Sequence, residues 1–131
     1  MIFVDTSAIY ALADSADPNH QAAVRRLQQI LDQGEEMLTH NYVLLESIAL
    51  LQARLGLAQA ARFANDSTNF IIEWIDKSLH LTGIRQLQKS GKRRISLVDH
   101  ISFLVMRRRH MRVAFAFDPD FESEGFQLFA E

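Results

Sequence analysis

The chain has 131 residues, nearly half of them hydrophobic, with no cysteine and a formal net charge of −2. That length supports a single domain, expected to span residues 1–131, and the composition excludes a disordered chain. The lack of cysteine excludes disulfides, thiolate zinc sites and a cysteine nucleophile, and it fits a reducing compartment.

Every apolar run is broken well before the roughly 20 residues that a membrane helix needs. Met1–Val4 has no basic flank and Asp5 interrupts any hydrophobic core of a signal peptide, so a cytoplasmic protein with no membrane partner is expected.

Ile2–Val4 reads as a short buried strand, followed by a helix from Ser7 to Ala13 and a loop over Asp14–Pro18. Asn19 is placed to cap a helix through His20–Gln33, whose apolar stripe is Ala23, Leu27, Ile30 and Leu31, with Gly34 stopping it. Met37–Thr39 is a second strand. Asn41–Leu55 is a helix by the spacing of Leu44, Ile48, Leu51 and Leu55, ended by Gly56, and Leu57–Asn65 is another. Phe70–Ile75 reads as a third strand. Asp76 caps a helix through Lys89 that Gly91 terminates, and Ser96 caps a further helix over Leu97–Arg109. Val113–Phe117 is a fourth strand and Gln127–Phe129 a short edge strand. Strands alternating with helices imply an α/β fold: a mostly parallel sheet of four to five short strands with helices on both faces.

Four carboxylates interrupt these apolar segments: Asp5 after the first strand, Glu46 within the Asn41–Leu55 helix, Asp99 in the Leu97–Arg109 helix, and Asp118 after the fourth strand. An ionised carboxylate is costly to bury unpaired, and four of them in separate core segments suggest one shared site. In open parallel sheets the site lies at the carboxyl ends of the strands, where Asp5 and Asp118 fall. Clustered acids with no histidine or cysteine partner form a hard-oxygen set suited to Mg²⁺ or Mn²⁺. A cation held there would support hydrolysis of a phosphodiester.

Each acid has a structural explanation as well: Asp5 and Asp99 as helix caps, and Asp118 as a turn initiator before Pro119. Glu46 has no cationic neighbour to explain it. The hydroxyls of Thr6, Ser7 and Ser96 are placed to orient water or the acids, or to cap helices.

Nine of the fourteen basic residues lie between Arg85 and Arg112, where Asp99 is the only acid. Such a stretch is compatible with a phosphate-bearing partner or with a solvated helix face. Trp74 and the phenylalanines read as core by their spacing. The five histidines include no pair at metal-ligand spacing, and no glycine-rich phosphate loop or nucleophile elbow is present.

Taken in order, Asp5-Thr6-Ser7 after the first strand, Glu46 in an early helix, Ser96-Leu97-Val98-Asp99 opening a late helix, and Phe117-Asp118-Pro119-Asp120-Phe121 after a strand closely resemble the PIN domain. Length and spacing are most similar to the VapC-type toxins of prokaryotic toxin–antitoxin modules, and the likeness spans the chain. The resemblance implies a Mg²⁺- or Mn²⁺-dependent ribonuclease, with Asp5, Glu46, Asp99 and Asp118 as the metal-binding catalytic quartet and Thr6 and Ser96 in support. It also implies a homodimer inhibited by a small cognate antitoxin, acting on structured RNA.

On that reading Lys92, Arg93 and Arg94, just before Ser96 and Asp99, hold RNA phosphates. Ala116 departs from the pattern, since many members carry a threonine there, and His100 stands where a small residue is common. Asp120 competes with Asp118, which is preferred because it directly follows the strand. Two alternatives stand beside the nuclease: a PIN-like RNA-binding or scaffold module, and an aspartyl phosphotransferase with Asp5 as nucleophile. The latter commonly needs a second acid where this chain has Ser7.

Overall fold

The computed structural model describes residues Met1–Glu131. Its elements run β1 (Ile2–Val4), α1 (Thr6–Ala13), α2 (His20–Asp32), β2 (Met37–His40), α3 (Asn41–Leu55) and α4 (Leu57–Asp66). After a single 3₁₀ turn come β3 (Ile71–Glu73), α5 (Lys77–Ser90), α6 (Leu97–Arg108), β4 (Val113–Phe115), α7 (Asp120–Ser123) and β5 (Gln127–Leu128). All strand pairings are parallel, in the order β3-β2-β1-β4-β5. The expected α/β architecture is the one observed: a five-stranded parallel sheet flanked by helices.

The centre of the sheet is its most apolar part, as its burial on both faces requires. Phe3, Leu38, Ala114 and Phe115 are fully buried, and Phe103 of α6 packs edge-on against Phe121 of α7 with ring centroids 5.1 Å apart. No helix is long and apolar enough to cross a membrane.

Several local expectations shift. Asn19 makes no side-chain cap; instead its N–H donates to Asp17 Oδ1 at 2.8 Å. Thr6 joins α1 because Asp5, one residue earlier, takes the cap position. The third strand is only three residues long, so Trp74 falls past its end on an outer strand and is 71% exposed rather than in the core. The turn expected at Asp118–Pro119 leads directly into a one-turn helix over Asp120–Ser123, in which Asp120 and Phe121 are buried. Gly91 closes α5 at φ 64°, a left-handed conformation that glycine adopts without penalty.

The helix bearing Asp99 is seated by close packing. A β-carbon at Gly83 of α5 would lie 2.3 Å from Ile101 Cδ1 and 3.0 Å from its Cγ1, and Ile101 is itself fully buried. Alanine should favour an isolated helix over glycine by roughly 1 kcal/mol. In this fold Gly83→Ala is expected to destabilise by about 1–3 kcal/mol, because α5 and α6 must separate or Ile101 leave its rotamer. Urea unfolding with an unchanged m value checks this, and a net gain in stability would refute the tight-seat account.

Candidate active site

β1 runs to β2 on one side and lies against β4 on the other, so the sheet reverses its strand order between β1 and β4. Brought to this crevice by their strands, Asp5 follows β1 and Asp118 follows β4. Asp5 is 4% exposed. Its Oδ2 accepts from the Ser7 backbone N–H at 3.1 Å and from the Ser7 hydroxyl at 2.6 Å. The same Ser7 Oγ accepts from Phe117 N–H at 2.9 Å, linking the β1 acid to the chain just before Asp118. Burial pushes the Asp5 carboxyl up to about 6; the Ser7 bonds oppose this, and the negative charges of Asp99 and Asp118 add to it.

Asp99 opens α6 in a capping box: its Oδ2 accepts from Ser96 N–H at 3.0 Å and Ser96 Oγ at 3.1 Å, while Asp99 N–H donates back to Ser96 Oγ. Asp118 Oδ1 accepts from Asp120 N–H at 2.9 Å, as a turn initiator does. Burial raises both carboxyls, with the charge of Asp120 adding to each. The structural roles considered for these residues are therefore real. Yet each of the three acids uses one oxygen locally and takes no protein hydrogen bond on the other.

No three acidic or histidine side chains converge at metal-ligating distance. Unscreened carboxylates repel, so each turns to its nearest donor. The donor set nevertheless fits a hard divalent cation: all oxygen, partly desolvated, and with a free oxygen on every acid.

The structure brings Asp5, Asp99 and Asp118 within mutual electrostatic reach and adds Asp120 to them. Asp120 is 5% exposed, and its Oδ1 lies 2.8 Å from Arg94. Glu46 is the outlier, exposed on α3 without an ion-pair partner. The backbones carrying Glu46 and Asp5 are still tied together, since Ser47 Oγ donates to Thr6 Oγ1 at 3.2 Å. Lys92, Arg93 and Arg94 are exposed on the loop before α6, and Ser96 is exposed at the helix start. His100 is buried with its Nε2 unpartnered and its ring edge-on to Phe103. Ala116 is fully buried core, and the hydroxyl beside this strand end comes from Ser7.

One supporting residue left no sequence signal. His40, at the end of β2, is fully buried and accepts at Nδ1 from Tyr42 and Val43 N–H, capping α3. Its Nε2 therefore carries the proton and donates to Ser102 Oγ at 2.9 Å, which donates to Val98 O on the helix of Asp99. Burial pushes this imidazole down to about 3, keeping it neutral.

The family model for the PIN domain matches residues 2–126. The chain is 37% identical over 128 residues to the 23S rRNA-specific endonuclease VapC20 of Mycobacterium tuberculosis, covering 96% of this chain and 95% of that protein. The crystal structure of Mycobacterium tuberculosis VapC20, described as a sarcin-ricin loop cleaving toxin, superposes with TM-score 0.89 and 33% identity over the whole of both chains. PAE2754 from Pyrobaculum aerophilum shares the fold, with TM-score 0.64 and 20% identity, covering 97% of this chain and 87% of its own.

Asp5 carries a stability cost that can be measured. Raising its pKa from 3.8 to about 6 corresponds to about 3 kcal/mol of destabilisation when the group is ionised. Asp5→Asn keeps an acceptor for Ser7, so at pH 7 the variant is expected to be more stable than the parent by up to that amount. The folded pKa is raised, so the parent regains stability as the pH falls through about 6, and the difference closes below 3.8. Thermal unfolding of both proteins from pH 8 to 3.5 checks this; a variant less stable at pH 7 would overturn it.

Proposed function

The chain belongs to the PIN domain family, and from this we propose that it is a metal-dependent endoribonuclease, the toxin of a type II toxin–antitoxin module. The observation that carries the reading is the set of desolvated carboxylates at the β1/β4 crevice, each with an oxygen unclaimed by the protein. In this reading the whole chain acts as a single PIN domain. Its substrate class is structured RNA, and the likeness to VapC20 makes the sarcin-ricin loop of 23S rRNA the first target. A small cognate antitoxin as inhibitor and a homodimeric state belong to the same proposal.

Asp5, Asp99 and Asp118 would hold Mg²⁺ or Mn²⁺, with Glu46 completing the quartet and Asp120 beside it. When bound, such a cation would position and acidify an attacking water and neutralise charge on the phosphate. The chain's own residues do the rest. Ser7 fixes the rotamer of Asp5 and ties it to the β4 end. Ser96 fixes Asp99 at the first turn of α6. Lys92 and Arg93, exposed beside that turn, hold the RNA backbone without reading its sequence. Ser7, standing where a phosphotransferase would need a second acid, instead donates to Asp5, which favours hydrolysis over an acyl-phosphate.

The test is cleavage of a labelled sarcin-ricin loop RNA with Mg²⁺, Mn²⁺ or chelator, beside an Asp99→Asn preparation. Cuts that need added cation and fall by about 100-fold or more in the variant are expected, since even removing an outer-shell partner of a ligand costs roughly 10- to 100-fold. Equal cutting by both proteins would exclude the site. Tight RNA binding with no metal-stimulated turnover would replace the nuclease by a binding module.

A further inference from the structure

Asp120 is the most enclosed of the acids around this site after Asp5, with a side chain 8% exposed and with Asp99 and Asp118 as its charged neighbours. Its one cationic contact is Arg94, whose guanidinium lies 2.8 Å from Oδ1. The contact is Coulombic without hydrogen-bond alignment, because that oxygen has no aligned donor. The Arg94 side chain is 75% exposed, so only its tip is engaged. An ion pair anchored in this way is weak and readily exchanged.

The backbone on either side is fixed. Ile95 is buried, and Ser96 caps α6 through the capping box with Asp99. Arg94 is thus a long mobile side chain rooted one residue from a rigid anchor. Lys92 and Arg93 beside it are exposed and have no acidic partner. Of the three cations on this loop, Arg94 alone points its charge into the acid cluster. A guanidinium also matches a phosphate in geometry, offering two parallel donors where an ammonium offers a point charge.

We infer that Arg94 is the resident counter-ion of the acid cluster, holding Asp120 in the metal-free protein and passing to an RNA phosphate once a divalent cation takes over the carboxylates. This rests on the nuclease reading above. Arg94 is then a positioning residue with two alternative partners. It screens the carboxylates while no cation is present, and the cation's arrival frees it for substrate. Metal and RNA would bind cooperatively through this exchange, because each removes a competitor of the other.

The test uses the full chain and two variants, Arg94→Gln and Arg94→Lys, with Mn²⁺ as the probe. Thermal unfolding is recorded with chelator and with saturating Mn²⁺, Mn²⁺ binding is measured by calorimetry, and RNA binding is measured with saturating Mn²⁺ on a structured RNA that the protein does not cut. Arg94→Gln is expected to melt below the parent only without metal and to bind Mn²⁺ about fivefold more tightly. In the RNA arm it should bind more weakly, with a salt slope reduced by about one. Arg94→Lys should recover the metal-free stability but not the RNA affinity. A melting deficit that is equal with and without Mn²⁺ would reduce Arg94 to a loop-structural residue and overturn the proposal, as would unchanged Mn²⁺ affinity. Unchanged RNA binding would overturn the hand-over to phosphate. Failure of the parent itself to bind Mn²⁺ would remove the metal-dependent reading together with this one.

Discussion

The crevice between β1 and β4 depends on one small group, the Ser7 hydroxyl. It accepts from the Phe117 backbone and donates to Asp5, so one atom joins the ends of two adjacent strands and orients a buried carboxylate. Without that bond the buried acid would keep only one backbone donor. Carboxylates in such surroundings otherwise neutralise or rotate away. The parallel register of β1 with β4 puts the two strand ends level, and that register is what allows a residue two positions after the acid to reach across.

Much of this was legible in the sequence, because the signals were local. Gly56 and Gly91, the Ser96-to-Asp99 spacing and the Asp76 cap mark helix boundaries that the structure keeps. Asp5, Asp99 and Asp118 stood out because carboxylates do not sit in apolar runs without a reason. What stayed hidden is long-range. His40 is bonded to Ser102 across 62 residues of sequence, and nothing near either position marks the pair. Trp74 misled because its neighbours are strand-like, whereas its exposure is decided by where an outer strand stops. Asp120 was ranked below Asp118 on distance from the strand, yet α7 turns it inward and leaves it the more buried of the two.

Structural and functional explanations of the same acid are usually set against each other. Here they hold together. A carboxylate has two oxygens, and capping a helix or closing a turn occupies only one. The local bond is then a means of orienting the other oxygen, at no added cost in buried unsatisfied groups. Asp99 shows this most clearly: the capping box that starts α6 also removes the freedom of its side chain.

The distribution of rigidity follows from the same division. α6 is held from two sides, by Gly83 allowing α5 to lie close against Ile101 and by the His40–Ser102 bond to the end of β2. His40 can serve in this way only while neutral, and its burial keeps it so. The acids are therefore carried on elements that the core fixes, whereas the cations sit on the exposed loop over Lys92–Arg94. For a site that must bind a small cation and then a large polyanion, that arrangement is physically favourable. Ligand geometry for a cation tolerates little displacement. A phosphate backbone, by contrast, is tracked best by long side chains that can move with it. Fixed anions and mobile cations, joined at the Arg94–Asp120 contact, let one site meet both demands in sequence.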